Sequence, residues 1–127
     1  EIVLRTRFAY YYGTHVGPVE TFARGVGFTR PPSDKIAHVN ERILSDLNRS
    51  TDAFIAHYRD DFKEGTTYLP AAYDRLPICV AVEVLSFGCL SRMITASGES
   101  GVLEDTAESL STSRWGVFNC LCICLFV

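Results

Sequence analysis

Between Pro77 and Ile94 the chain runs PICVAVEVLSFGCLSRMI, in which only Glu83 and Arg92 carry charge. A stretch this apolar must be withdrawn from water, because exposing it forfeits the main favourable term in folding. Its β-branched residues would suit a strand, but its length is unusual for one and ordinary for a helix. Pro77 stands where a first helical turn accepts proline, since the amide it lacks would have no partner there. The run is therefore predicted as a central helix, Pro77 to Ile94, buried nearly all round. The 127 residues are enough for one core and too few for two ordinary ones, so the fold class expected is a single-domain all-α helical bundle.

The rest of the chain supplies elements to pack against that helix. Leu4, Phe8, Tyr11 and His15 recur on one face of a predicted helix from Glu1 to His15, which Gly17-Pro18 ends. The loop GVGFTRPPS covers 25–33, where prolines and glycines sustain neither periodic structure. Ile36, Val39, Ile43 and Leu47 then form the stripe of an amphipathic helix. Ser50, Thr51 and Asp52 are candidate caps before a further stretch marked by Phe54, Ile55, Tyr58 and Phe62 and ending near Gly65. The pattern leaves open whether 36–64 is one kinked helix or two. A short helix is expected over Leu103 to Leu110, and the final VFNCLCICLFV is too short to cross a bilayer as a helix.

A formal net charge of −3 excludes a uniformly basic surface, so any contact with nucleic acid has to be local. Arg5, Arg7, Arg24, Arg30, Arg42 and Arg49 crowd the first part of the chain, while Glu99, Glu104, Asp105 and Glu108 lie near the end. That asymmetry permits a basic face. The five cysteines are odd in number and absent from the first half, which is not a disulfide framework. Cys79 and Cys89 read as small buried hydrophobes in a reducing compartment. No leader pattern opens the chain, so a cytoplasmic location is expected; the start in mid-pattern implies a longer protein.

Three motifs carry a resemblance. The opening EIVLRTRFAYYYGTHVGP, the HYRDDF at 57–62, and the Leu76-Pro77, Glu83 and Ser86-Phe87-Gly88 of the central run occur in this order. Together they resemble the Abi-like (AbiD/AbiF) abortive-infection family over Glu1 to Trp115. The resemblance implies a helical, HEPN-like domain at 1–115, an apolar cysteine-rich tail at 116–127 that is foreign to the family, and a toxin-like role in phage defence directed at RNA. It also implies a nuclease element, Arg-Asn followed by Ala-His-His, for which GVFNCLCICLFV offers only Asn119. Cys79 occupies a position where the family tends to carry tryptophan, and the family pattern begins before Glu1, so the chain reads as incomplete at both ends.

No catalytic residue is assigned on this reading, and no metal site or cofactor is expected. Arg7 and His15 form the nearest arginine–histidine pair, but seven residues separate them where the family motif has four to six. Arg5, Arg7, Tyr11 and His15 are the candidate RNA contacts, arginine for phosphate and tyrosine for stacking; the alternative is plain helix packing. Glu83, set among apolar neighbours, is expected to be a buried structural carboxylate paired with Arg5 or Arg7. Cys120, Cys122 and Cys124 would share one face of a strand but lack zinc-like spacing. The partners expected are RNA or a second copy of the chain, with no membrane and no small-molecule cofactor. A non-enzymatic helical binding or oligomerisation module is the rival function.

Overall fold

The computed structural model describes residues 2–59, 63–64, 67–68 and 70–110. Phe62, the turn at Gly65 and the cysteine-rich segment after Trp115 fall outside the described residues. The architecture is all-α. In chain order it comprises α1 (Ile2–His15), α2 (Val39–Arg49), α3 (Ala53–Arg59), α4 (Ile78–Val84), α5 (Phe87–Ala96) and α6 (Val102–Ser109). Single 3-10 turns occur at Phe22–Arg24, Pro70–Tyr73 and Gly98–Ser100. The one extended feature described is a two-residue antiparallel pair, Lys63–Glu64 with Thr67–Tyr68. Helix α1 packs against α4 and α6, and α2 packs against α5.

The buried stripe of α1 is Leu4, Phe8, Ala9 and Tyr12, so the tyrosine turned inward is Tyr12 and not the Tyr11 expected. The i, i+4, i+8 row of Leu4, Phe8 and Tyr12 keeps to one face as well as the predicted row does, and the position of the loop decides between them. Gly25 and Gly27 take φ of 78° and 82°. A side chain at Gly27 would put its Cβ 2.7 Å from Val16 Cγ2. This turn brings Phe28 onto the Tyr12 ring at 5.2 Å and an 18° interplanar angle, while the Tyr12 hydroxyl donates to Val26 O at 2.6 Å. Burial pushes the Tyr12 pKa up to about 12 despite a hydrogen bond with Thr21 that lowers it.

Helix α2 buries Val39, Ile43 and Leu47 as expected, but it begins at Val39. His38 caps it, Nδ1 accepting from the Asn40 amide, and Ile36 stays outside at 48% exposure. The open question over 36–64 resolves into two helices. Ser50 is extended, and Asp52 Oδ1 accepts from the Phe54 amide at 2.8 Å to start α3. Arg59, at the end of α3, is buried and donates from Nη1 to Leu47 O, Asn48 O and Ser50 O at 2.9, 3.3 and 3.0 Å. These carbonyls lie at the end of α2, where the helix has few amides left to offer; Leu47 O also accepts from the Ser50 amide at 3.2 Å.

The central helix predicted from Pro77 to Ile94 is two helices. Leu85 and Ser86 are extended, with ψ of 141° and 154°. Ser86 Oγ accepts from the Cys89 amide at 3.1 Å, which makes it the N-cap of a new helix. Nor is the run buried on all sides. On α4, Ile78, Ala81 and Val82 face inward while Cys79 and Glu83 are exposed; on α5, Cys89, Leu90, Met93 and Ile94 face inward while Arg92 and Thr95 are exposed. Cys79 is therefore not the buried hydrophobe expected, whereas Cys89 is.

Candidate functional site

The residues proposed for RNA contact separate into two groups. Arg7, Tyr11 and His15 lie one above another on α1 at four-residue steps and face α6. Arg7 Nη1 donates to Ser109 O at 3.3 Å, His15 Nε2 meets Asp105 Oδ2, and the Tyr11 and His15 rings stack at 6.5 Å. Arg5 points elsewhere, its Nη1 donating to Val82 O and, at 2.7 Å, to Leu85 O. These two carbonyls belong to the end of α4, where the chain breaks away from helical geometry.

Arg5 thus performs the bracing that was expected to involve Glu83. Glu83 itself is exposed and makes no ion pair among the described residues, which corrects the expectation of a buried pair with Arg5 or Arg7. A carboxylate facing water incurs no desolvation penalty and requires no partner. The Arg7 and His15 side chains begin eight residues apart, about 12 Å along the helix axis, and each is engaged with α6. His38 caps α2 and His57 lies against Tyr58. Among the described residues no three His, Cys, Asp or Glu side chains are placed to hold a metal ion.

A different cluster forms where α2 crosses α5. A cleft of about 240 Å³ opens there between Arg42, Ser45 and Arg49 of α2 and Gly88, Ser91 and Arg92 of α5. Its floor is Asp46, whose carboxylate accepts from the Ser86 amide at 3.0 Å, the Ser86 hydroxyl at 2.9 Å and Arg49 Nη2 at 2.8 Å. Burial raises the Asp46 pKa, but the two Ser86 hydrogen bonds and Arg49 outweigh it and hold the carboxyl below its usual range. The Cys89 thiol is pushed up to about 12, first by burial and then by the charge of Asp46 and a hydrogen bond to it, against the opposing influence of Arg42 and Arg92. A thiol held so far from ionisation is no nucleophile at neutral pH.

Arg42 and Arg92 line the cleft from its two sides, one on α2 and one on α5. Neither makes an ion pair among the described residues. A Cβ at Gly88 would meet nothing within 4 Å, so the cleft is open on the α5 side. The acidic floor is satisfied internally, and the cationic rim is left for a ligand. Such a rim binds an oxyanion through charge-assisted hydrogen bonds, and arginine suits a phosphate by its planar fork of donors.

Sequence reasoning placed Arg42 and Arg49 in the N-terminal arginine cluster without singling them out, and it passed over Arg92. The signal was available: Arg42 and Arg49 are seven apart on one face of α2, and Arg92 is the one cation in the Pro77–Ile94 run.

No helix among the described residues is long and apolar enough to cross a membrane. Comparison with curated proteins and with solved structures found no match for the chain. Comparison with protein families matched residues 1–123 to the family described as Abi-like protein, a span that continues past Trp115 into the cysteine-rich segment. With nearly the whole sequence matched, the chain belongs to the Abi-like protein family, and its function is of the abortive-infection type.

Proposed function

We propose that this chain serves abortive infection in the cytoplasm by holding RNA in the α2–α5 cleft, and that it does not cleave RNA by itself. The observation that carries this reading is the pair Arg42 and Arg92, which converge on one open cleft and have no ion-pair partner among the described residues. RNA suits the site because a chain of net charge −3 needs a local cationic patch to hold a polyanion. A relation to HEPN ribonucleases, drawn from the motifs, agrees with an RNA target. The engagement of Arg7 and His15 with α6 argues against a cleaving centre on α1.

Binding of single-stranded RNA followed by fluorescence anisotropy across a salt series tests the reading. Phosphate contacts by Arg42 and Arg92 predict a slope of log affinity against log salt of about −1.4. Arg42→Ala with Arg92→Ala should lower affinity about tenfold at low salt and bring the slope to about 0. Equal binding by the double variant would sink the proposal. Incubation of the same RNA with wild-type and His15→Ala protein, with and without divalent metal, covers the chemistry; cleavage lost in the variant would move the site to α1.

A second reading, a self-associating or partner-binding module, is favoured by Val3 and Tyr10, which stand on one outward face of α1 at 56% and 64% exposure. Sedimentation of wild-type and Tyr10→Ser protein tests it, and a monomer in both would exclude self-association through that face.

A further inference from the structure

Beside the α2–α5 cleft, at Arg92, lies a second cavity of about 400 Å³. The two cavities share Ser91 and Arg92 in their linings. The second has a different chemistry. Pro31, Pro32, Ile36, Val39 and Ala96 give it apolar walls, and Arg30 joins Arg92 at its rim.

Its walls are held in place before any ligand arrives. The amide and the hydroxyl of Thr29 both donate to Ala96 O at 2.8 Å, which fastens the 29–32 loop to the end of α5. Pro31 and Pro32 fix their own φ, so ordering this wall on binding costs little entropy. The Thr95 hydroxyl is likewise committed, donating to Ser91 O at 2.9 Å, which leaves the threonine oxygens to act as acceptors. Ile36, left out of the buried stripe of α2, stands at this cavity half exposed.

We infer that this cavity is a nucleobase subsite, taking one unstacked base of an RNA whose phosphates lie along Arg42 and Arg92. Charge and shape complementarity select this occupant. A base is flat, apolar on its faces and polar at its edges, and its own phosphate is tethered within a few ångströms. The cavity is apolar on most of its walls, has Arg30 and Arg92 in its lining, and shares Arg92 and Ser91 with the cationic cleft beside it. Single-stranded RNA is ordinarily read this way, with a splayed base packed on flat surfaces, arginine among them, beside a charged track for the backbone. The inference rests on the RNA reading proposed above and adds that the contact includes the base as well as the phosphate.

The test compares a roughly 12-nucleotide single-stranded RNA with an abasic ribose-phosphate chain of the same length and charge. Wild-type protein should bind the RNA about tenfold more tightly than the abasic chain. Two variants act oppositely on the cavity: Ile36→Ser removes an apolar wall, and Ala96→Leu fills the space. Both should abolish the preference for bases while leaving abasic binding unchanged, with circular dichroism confirming that each remains helical. If wild-type protein binds the two probes equally, or if the preference survives in both variants, the base subsite is wrong and the phosphate cleft stands. If neither probe binds, the cleft and the subsite fall together.

Discussion

Helix α1 and the α2–α5 crossing both present arginines, and the two regions use them for opposite ends. On α1, Arg5 donates to carbonyls at the end of α4, and Arg7 donates to a carbonyl at the end of α6. Arg59 serves the end of α2 in the same manner. At the crossing, Arg49 is held by Asp46, while Arg42 and Arg92 line an open cleft without an ion-pair partner among the described residues. The difference lies in the neighbourhood. A guanidinium beside a helix C-terminus finds carbonyls with spare acceptor capacity and becomes bracing. One placed above hydroxyls and a satisfied carboxylate keeps its donors for a ligand.

Four variants test this contrast, in order of expected effect. Arg59→Met removes three charge-assisted bonds from a buried position and should lower unfolding free energy by about 3 kcal/mol in urea denaturation. Arg5→Met should cost about 2 kcal/mol by the same measurement, with RNA affinity essentially unchanged. A fall in affinity as large as that from Arg92→Ala would put Arg5 back among the RNA contacts.

Asp46→Asn weakens the link between α2 and the start of α5; allowing for solvent screening in an open cleft, the loss should be about 1 kcal/mol. Because the folded-state pKa of Asp46 lies below its unfolded value, its contribution is present above the usual carboxylate range and is lost as pH falls through the lowered value. Thermal unfolding followed from neutral to acid pH should show a shallower acid limb in the variant. The smallest effect belongs to Arg42→Gln with Arg92→Gln, which should shift stability by less than about 0.5 kcal/mol. A larger loss would mean that these two arginines brace the fold as Arg5 does.

Much of this scaffold could be read from local pattern. The stripe Ile36, Val39, Ile43, Leu47 specified α2 apart from its first member, the cap candidates Ser50, Thr51 and Asp52 announced α3, and the glycine- and proline-rich 25–33 segment is a loop. What could not be read depends on partners far along the chain. Ser86 has the chemistry of an N-cap, yet it looks like one more small residue in an apolar run until Asp46, forty positions earlier, is seen to hold its amide and hydroxyl. Glu83 seemed buried because its neighbours are apolar, but a break after Val84 lets a short α4 turn one face outward. Tyr11 and Tyr12 are adjacent on α1, and only the arrival of Phe28 settles which is buried. Of the candidate site, the arginines were visible as types; their convergence required knowing how α2 crosses α5.

The bracing of the α4 end by Arg5 also bears on the order in which the chain acquires its fold. The two bonds span 77 and 80 residues, and the contacts of Arg7 and His15 with α6 span 102 and 90. During synthesis α1 leaves the ribosome long before α4 and α6, the helices it packs against, so much of its apolar face waits in water while the intervening helices are made. Closing an 80-residue loop costs about 2 kcal/mol more than closing one of roughly ten residues, and the nearer pairing of α2 with α5 meets less of that cost. Docking of α1 is then a late step, and until it occurs Leu4 and Phe8 offer a sticky surface to other chains or to a chaperone.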